Sequence, residues 1–425
     1  MNLFPLEPFL RPLSENPWTY LVFGVIGFFF GFVLESSGFG NSKKLAAQFY
    51  FKELTVLKVM FGAIVTAMVL IFFSSAIGIL DFNLVYVPET HLWPGILGGL
   101  IMGVGFIIGG FCPGTSLVSA ATLKIDGIFF ALGVLFGIWS FGETVDWYWT
   151  WWNTSGYYGR LTLMDVFHLP TGVMVLLVVL MALFMFWGAE QLERIFGKRD
   201  LKKEPKQRIF GAAALIVIAL AVIVLGEPTT AEKYARLTLT RTVDGEKVTL
   251  PAEEVLVHRL VQIHPAELLD TLADPRLSTI MLDVRSEADY NLFHIRGARW
   301  TPLDQLPDVV PSLLAADANR TIVVVMSNDE AAATDAWRLL VAESVPNVYI
   351  LEGGINNWIA VFGQGEADIL PTPVPGAADR LDYSFPAALG DRYEAADPNP
   401  HEWEIEYTPR IELERRRGPS GGGCG

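Results

Sequence analysis

Residues 99–124 read GLIMGVGFIIGGFCPGTSLVSAATLK, and this stretch decides how the first half of the chain folds. It starts as an apolar run, breaks at Gly109, Gly110 and Pro113, and resumes at Ser116 as an apolar piece too short to cross a bilayer. Glycine and proline both interrupt helices. We therefore predict a re-entrant half-helix whose non-helical backbone is protected by surrounding protein.

The same arrangement occurs earlier in the chain. Residues 27–52, GFFFGFVLESSGFGNSKKLAAQFYFK, run parallel to residues 99–124, with matching glycines, a matching Gly-Phe pair and a matching final lysine. A second short apolar piece begins at Leu45. Each repeat, about 18–80 and 93–145, is predicted to contain a helix, a glycine break, a half-helix and a second helix. Paired broken helices indicate a substrate path near the middle of the membrane.

Six apolar runs come close to the roughly 20 residues that a bilayer helix needs. They cover residues 18–36, 56–80, 93–111, 127–145, 170–188 and 209–226. The chain is 52% hydrophobic, which is high for a soluble protein. The sequence predicts a polytopic α-helical membrane domain with about six spans, two re-entrant half-helices and an internal repeat.

The net charge of −15 lies entirely after residue 226, because residues 1–226 contain equal numbers of basic and acidic residues. So acidic a soluble part argues against nucleic acid as a partner, since phosphate binding needs surplus lysine and arginine. The two cysteines, Cys112 and Cys424, cannot form a disulfide framework or a zinc site. We expect neither a metal nor another cofactor.

Lysine and arginine set the expected orientation in the cell (inner) membrane. The connection 188–208 contains seven basic residues and should face the cytoplasm. Six spans then leave both termini, and the C-terminal domain, outside the cytoplasm; one span more or fewer would reverse the side. The segment DWYWTWWNTSGYY, residues 146–158, is expected as an aromatic loop against membrane lipid at the outer interface.

The glycine break has the chemistry of a site for a sulfur anion. Half-helix N-termini favour anions, and a thiol is polarizable enough to meet a soft sulfur atom. The candidate substrate-binding residues are Cys112, Gly109, Gly110, Gly114, Thr115, Ser116, Ser36, Ser37, Lys43, Lys44 and Lys124. Alternatively, Cys112 is a small buried hydrophobic residue, the glycines serve helix packing, and the lysines are ordinary positive-inside anchors.

At these residues the chain resembles the YeeE/YedE family of sulfur-compound transporters, over about residues 18–226. The stretches that carry the resemblance are GGFCPGTSLVSAATLKIDG and GFVLESSGFGNSKKLAAQFYFKELTVLKVMFG. It implies uptake of thiosulfate or a related sulfur anion, with cysteines at both pore breaks. Here Cys112 keeps the second-repeat thiol, whereas Gly40 occupies the first-repeat position. The resemblance also suggests a half-sized unit completed by a second copy or a larger membrane complex.

The second half alternates short strands and helices, which predicts a soluble α/β domain with a parallel sheet. Residues 282–303 and 322–358 resemble a single rhodanese domain. In active rhodaneses a nucleophilic cysteine ends the strand corresponding to VVVM and opens a loop whose amides hold the anionic donor. Asp283, Arg285 and His294 match the structural motif of that family.

This loop departs from the rhodanese pattern where the chemistry would occur. Ser327 stands in the place of the cysteine, Glu330 in that of the glycine and Ala332 in that of the arginine. An unactivated hydroxyl is a poor nucleophile and cannot carry a persulfide. We expect a pseudoenzyme with no catalytic residue, in which Asp283, Arg285 and His294 are scaffold.

The predicted organisation is an N-terminal segment, a membrane domain, a linker, a rhodanese-like domain and an extended acidic and glycine-rich arm. Their ranges are 1–17, 18–226, 227–262, 263–365 and 366–425. The leading hypothesis is a membrane permease for thiosulfate or a related species, with an inactive rhodanese-like domain for binding or docking. The alternative is an accessory subunit of a larger complex that has lost both chemistries; an active sulfurtransferase would need a nucleophile that Ser327 does not provide.

Overall fold

The structure, a computed structural model, describes residues 18–85, 87–198, 207–243, 245–373 and 378–413. The chain divides at Thr229 into a helical unit and an α/β unit. The predictions for the N-terminal segment 1–17, for the basic residues of 199–206 and for the tail with Cys424 lie outside the described residues.

The described part of the helical unit contains nine α-helices and two short 3₁₀ turns, Ala47–Tyr50 and Phe82–Leu84. The helices are α1 Trp18–Ser36, α2 Ser42–Ala46, α3 Thr55–Ala76, α4 Leu92–Gly109, α5 Pro113–Ala121, α6 Ile125–Thr154, α7 Leu163–Phe167, α8 Thr171–Phe196 and α9 Gln207–Leu225. Five apolar helical stretches are long enough to cross a membrane: α3, α6, α8, α9, and Leu92–Ala121, which comprises α4 and α5. The sixth predicted span is the apolar helix α1, and α2 and α5 are the short helices after the two breaks. The predicted helical fold is confirmed.

Helices α3, α8 and α9 pack against one another around small and β-branched side chains. This core contains Val65, Val69, Val175, Val179, Ala182 and Ala219. Elsewhere the long helices expose apolar side chains; Phe28 and Phe129, for example, are each about 70% exposed. Such surfaces suit hydrocarbon, where the backbone is satisfied within each helix and apolar side chains meet lipid.

The aromatic segment 146–158 differs from the predicted loop. Helix α6 continues through most of it and ends only at Thr154, with one non-helical residue at Tyr148. The reason is local, since the sequence contains neither glycine nor proline between Glu143 and Ser155 to stop the helix. Trp147 projects outward on this extension and is 85% exposed.

The α/β unit is built on a five-stranded parallel sheet. Its strands are β3 Gln262–Ile263, β4 Ser278–Asp283, β5 Arg299–Trp300, β6 Thr321–Met326 and β7 Val348–Leu351, in the order β3-β7-β6-β4-β5. Helices cover the sheet: α11 Ala252–Val257, α12 Pro265–Ala273, α13 Glu287–Leu292, α14 Leu306–Ala315, α15 Ala331–Ala342 and α16 Gly354–Phe362. Every residue of the central strand β6 is buried, as expected of a parallel strand covered on both faces. The predicted rhodanese-like α/β fold is confirmed.

The segment expected as a linker, 227–262, is structured. It holds helix α10 Thr230–Ala235 and an antiparallel hairpin of β1 Thr238–Val243 and β2 Glu246–Pro251. Gly245 in the turn has φ +84°, which glycine adopts without strain. Leu239, Val255 and Val261 are buried in the same core as the sheet. This segment therefore belongs to the α/β unit rather than separating it from the helices.

The described part of the expected C-terminal arm lies against the α/β unit. It contains a small pair of strands, β8 Leu370–Pro371 and β9 Tyr383–Ser384. Trp358 donates its indole N–H to the carbonyl of Ala395 at 2.8 Å. The Tyr349 hydroxyl bonds to both backbone groups of Glu412. These bonds satisfy buried polar groups and fix the segment along the domain.

A buried ion pair lies at the carboxyl end of β4. The Arg285 guanidinium donates to both carboxylate oxygens of Asp283, most closely at 2.9 and 2.6 Å, and both side chains are fully buried. Arg285 also donates to the carbonyl of Phe293 and to the side-chain oxygen of Asn328. Two charges removed from water are tolerated only with this degree of hydrogen bonding.

Replacing Arg285 by methionine should destabilise the α/β unit by about 3–5 kcal/mol, because Asp283 would remain buried without its partner. The matched control is Arg338→Met, since Arg338 pairs with Glu253 and Asp335 at the surface and should matter by less than about 1 kcal/mol. The measurement is the free energy of unfolding of the full chain in detergent, by pulse proteolysis in urea. Equal effects of the two substitutions would contradict the importance of the buried pair.

Candidate functional site

Cys112 is the N-cap of the half-helix α5. Its N–H donates to the Thr115 hydroxyl at 2.9 Å, and the N–H of Thr115 points back at the Cys112 sulfur at 3.5 Å. The sulfur and the Thr115 hydroxyl lie 3.3 Å apart. This is a capping box in which a thiol takes the place usually held by serine or aspartate. The thiol is thereby held at the positive end of the half-helix, and it is half-buried.

The residues around Cys112 form the start of α5. Gly109 ends α4, Gly110 adopts the left-handed conformation with φ +71°, and Gly114 lies in the first turn of α5. Thr115 and Ser116 are buried, and the Ser116 hydroxyl donates to the carbonyl of Pro113 at 2.7 Å. The predicted second-repeat residues therefore surround one helix terminus.

The break in the first repeat repeats this geometry in part. Gly38, like Gly110, has a positive φ, of +79°, and Phe39, like Phe111, is fully buried. Both phenylalanines pack in one small core with Leu45, Val56 and Phe130. The equivalence ends beyond the break, since Leu45 is fully buried whereas its counterpart Leu117 is 64% exposed.

The two breaks touch each other. A Cβ on Gly110 would lie 3.1 Å from the backbone carbonyl of Ser42, so the first half-helix approaches the second break closely. The Ser42 hydroxyl donates to the carboxylate of Asp126, in the first turn of α6, at 2.7 Å. The junction between the repeats thus joins the two breaks and the start of α6.

Gly40, at the position that matches Cys112, lies next to the ion pair of Lys124 and Glu35. Lys124 pairs with Glu35 at 3.3 Å. A Cβ on Gly40 would be 2.5 Å from a Glu35 carboxylate oxygen and 2.9 Å from the Lys124 nitrogen. The space that a first-repeat thiol would need is therefore occupied by two charged groups.

The remaining first-repeat candidates stay near their own break. Ser36 ends α1 and donates to the carbonyl of Val33, and the carbonyl of Ser37 accepts from the Lys44 ammonium at 2.8 Å. Lys43 is exposed in the first turn of α2, and its N–H donates to the side-chain oxygen of Asn41, the N-cap of that helix. Of the three predicted lysines, Lys124 is the one that bridges the two repeats.

The sequence analysis did not predict that Glu35, Ser42 and Asp126 lie at the junction of the two repeats, nor that Gly40 is in close contact there. The available signal was the charge of Glu35 and Asp126, since acidic side chains next to apolar runs mark functional positions in membrane proteins. Their partners could not be read from the sequence, because residues 35 and 124 meet only through the packing of the repeats.

In the α/β unit, Ser327 directly follows β6 and opens the segment 327–333, here called the loop, which includes the first three residues of α15. Ser327 is fully buried, and its hydroxyl accepts from the N–H of Ala333 at 3.2 Å. Glu330 accepts from Arg259 at 2.7 Å and from the N–H of Gly353. Glu330 therefore serves a surface ion pair, and its charge raises the pKa of Arg259 through the hydrogen bond between them.

Two aspartates take up the amides of this loop. The carboxyl group of Asp379 accepts from the N–H groups of Asn328 and Asp329, at 2.8 and 3.2 Å. The carboxyl group of Asp329 accepts from the N–H groups of Ala331, at 2.6 Å, and of Asp379, at 2.7 Å. Burial, and the charge of Asp329, raise the pKa of Asp379. Burial alone would raise the pKa of Asp329 too, but its N–H donors outweigh burial and lower it.

Two of the predicted rhodanese motif residues, Arg285 and His294, make structural contacts in the domain. Arg285 reaches the loop through the side chain of Asn328. His294 stacks on the ring of Tyr290, with centroids 3.8 Å apart, and one ring nitrogen lies 2.8 Å from the Tyr290 carbonyl. Among the described residues, no group of three or more His, Cys, Asp or Glu side chains is arranged to hold a metal ion.

Comparison with known families identifies both units. A family model described as sulphur transport matches residues 36–256, just over half of the chain, and one described as a rhodanese-like domain matches residues 264–361. No similar curated protein and no similar solved structure was found. The first match runs past Thr229 into the β1–β2 hairpin, which in the structure packs on the α/β core.

Thr115→Val should expose the thiol of Cys112, because valine keeps the shape of threonine but removes the hydroxyl that bonds to Cys112. Loss of such a cap costs about 1 kcal/mol. We expect a severalfold faster reaction of Cys112 with a maleimide, measured by mass spectrometry in a Cys424→Ser background. Thr122→Val, at the other end of α5, is the control and should leave the rate unchanged; equal rates for the two would contradict the capping role.

Proposed function

Because the chain belongs to the sulphur transport family, we propose that it is a multi-pass membrane permease for thiosulfate or a related inorganic sulfur anion, and that Cys112 contacts the substrate. The observation that carries this proposal is the capping box, which holds the Cys112 thiol at a helix N-terminus inside a glycine break. A soft sulfur atom meets a polarizable thiol there, and the helix end favours negative charge.

Lys124 is the second group that we assign to the substrate path. It lies at the junction of the repeats, and its side chain is about 40% exposed although Glu35 pairs with it. Gly40 provides no thiol, and a charged pair of Glu35 from the first repeat and Lys124 from the second lies in its place. The permease would then handle its anion with one thiol and one cation, rather than with thiols at both breaks.

We further propose that the rhodanese-like domain binds or docks and does not catalyse sulfur transfer. Ser327 supplies a hydroxyl that is already hydrogen-bonded, and the loop amides face two aspartates. A hydroxyl without an adjacent base is a poor nucleophile. For sidedness, the basic connection 188–208 supports a cytoplasmic location for that segment and, with six spans, an extracytoplasmic C-terminal domain in the cell (inner) membrane.

An accessory subunit of a larger membrane complex is the second candidate function. The observation that favours it is that both Gly40 and Ser327 lack the sulfur atom expected at their positions. The two functions differ in a simple respect, because an independent permease works when it is the sole protein in a vesicle, whereas a subunit requires its partners.

The purified chain, reconstituted alone into lipid vesicles, should take up labelled thiosulfate. Cys112→Ala should reduce the initial rate at least about tenfold, which corresponds to about 1.4 kcal/mol of lost interaction with the substrate. Cys424→Ser is the matched control and should retain the parent rate. Absence of uptake by the parent chain would favour the accessory subunit, and an unaffected Cys112→Ala variant would remove Cys112 from the path.

Ser327→Ala should leave thiosulfate uptake unchanged, because the proposed path does not use the Ser327 hydroxyl. The parent chain should also show no thiosulfate:cyanide sulfurtransferase activity. The measurement is uptake in vesicles together with the release of thiocyanate in solution. Thiocyanate that is formed by the parent and lost in Ser327→Ala would establish an active sulfurtransferase instead.

A further inference from the structure

The loop 327–333 has the form of an anion cradle, but the chain's own side chains fill it. Asp379 accepts from the N–H groups of Asn328 and Asp329, Asp329 accepts from that of Ala331, and the Ser327 hydroxyl accepts from that of Ala333. An oxyanion from solution would need these same donors.

Asp379 comes from a different part of the chain, about fifty residues after the loop. The residues that follow it are tied over the loop region by Asn356, which donates to the carbonyl of Arg380 at 2.7 Å and accepts from the N–H of Asp382 at 2.8 Å. Asn328 in turn donates to the carbonyl of Asp379 at 3.0 Å. Residues 379–382, here called the strap, therefore cover the loop as well as occupying its amides.

The backbone of Asp379 indicates that this contact is specific. Asp379 has φ +49°, in the left-handed region that non-glycine residues adopt uncommonly and at some cost. Such a conformation persists only where surrounding interactions impose it. Here the exchange of hydrogen bonds with Asp329, in which each carboxyl group accepts from the other residue's N–H, provides those interactions.

We propose that Asp379 is an intramolecular ligand of the loop 327–333, an autoinhibitory contact that keeps the cradle closed to oxyanions independently of the serine at position 327. The loss of the nucleophile and the occupation of the cradle are then two separate blocks to sulfur transfer. Restoring a cysteine alone removes one block. Removing Asp379 as well frees the N–H groups of Asn328 and Asp329 for a donor anion.

The test reintroduces the nucleophile with and without the strap carboxyl. Three variants of the full chain in detergent carry Cys112→Ser and Cys424→Ser, so that position 327 is the sole thiol: Ser327→Cys, Ser327→Cys with Asp379→Ala, and Ser327→Cys with Asp382→Ala. The last removes a carboxyl group from the same strap but keeps the Asp382 N–H that bonds to Asn356. Each variant is incubated with thiosulfate and analysed by intact-protein mass spectrometry.

The reaction followed is persulfide formation. The thiolate at position 327 attacks the outer sulfur of thiosulfate, a new S–S bond forms, and the S–S bond of thiosulfate breaks as sulfite leaves with the electron pair. We expect the Asp379→Ala combination to form at least about tenfold more persulfide than Ser327→Cys alone, because a competing carboxyl group has been removed from the amides. The Asp382→Ala combination should behave like Ser327→Cys alone. Equal persulfide in all three variants would overturn the proposal.

A second measurement tests whether an effect of Asp379→Ala reflects open loop amides rather than a misfolded variant. With Ser327 in place, sulfate should raise the melting temperature of the α/β unit in Asp379→Ala and not in the parent chain, since only the variant has open loop amides. Stabilisation of both proteins to the same extent would overturn the proposal. Neither readout depends on transport, so a failure here is distinguishable from a failure of the proposed permease function.

Discussion

A helix must find acceptors for its first N–H groups, and this constraint governs the break at Cys112, where a new helix begins. The structure meets it with a reciprocal bond between Cys112 and Thr115, in which the thiol is one of the acceptors. The break after Gly109 is what creates a helix N-terminus here. The same contact that satisfies the backbone therefore also fixes the position of the Cys112 sulfur.

The loop after Ser327 in the rhodanese-like domain is subject to the same constraint, that N–H groups at the start of a helix need acceptors. Its N–H groups lie before and within the first turn of helix α15 and also need acceptors, which Asp329, Asp379 and Ser327 provide. At Cys112 the acceptors are the thiol and the Thr115 hydroxyl, whereas at the loop after Ser327 two of the three acceptors are carboxyl groups. The N–H groups of Asn328 and Asp329 are therefore already bound by a carboxyl group of the chain.

The two repeats show how one architecture diverged in chemistry. The left-handed glycines and buried phenylalanines are common to both, because they shape the break. The groups beside the break are not common to both, since Cys112 caps one half-helix and Asn41 caps the other. Gly40 can lack a side chain because Glu35 and Lys124 take up the space above it. The junction thus keeps its shape while its chemistry changes from a thiol to an ion pair.

The sequence by itself determined the spans, the two breaks, the repeat and the parallel α/β sheet, because apolar length, glycine position and strand–helix alternation are local properties. It also singled out Cys112 as a candidate site residue, which stays a prediction, and it has a serine at position 327. It did not predict that the segment 227–262 packs into the α/β core, nor that α6 runs to Thr154. Only the tertiary structure decided that Lys124 meets Glu35 above Gly40 and that Asp379 fills the loop after Ser327. These contacts join residues far apart in the chain, and their energies depend on distances that only packing sets.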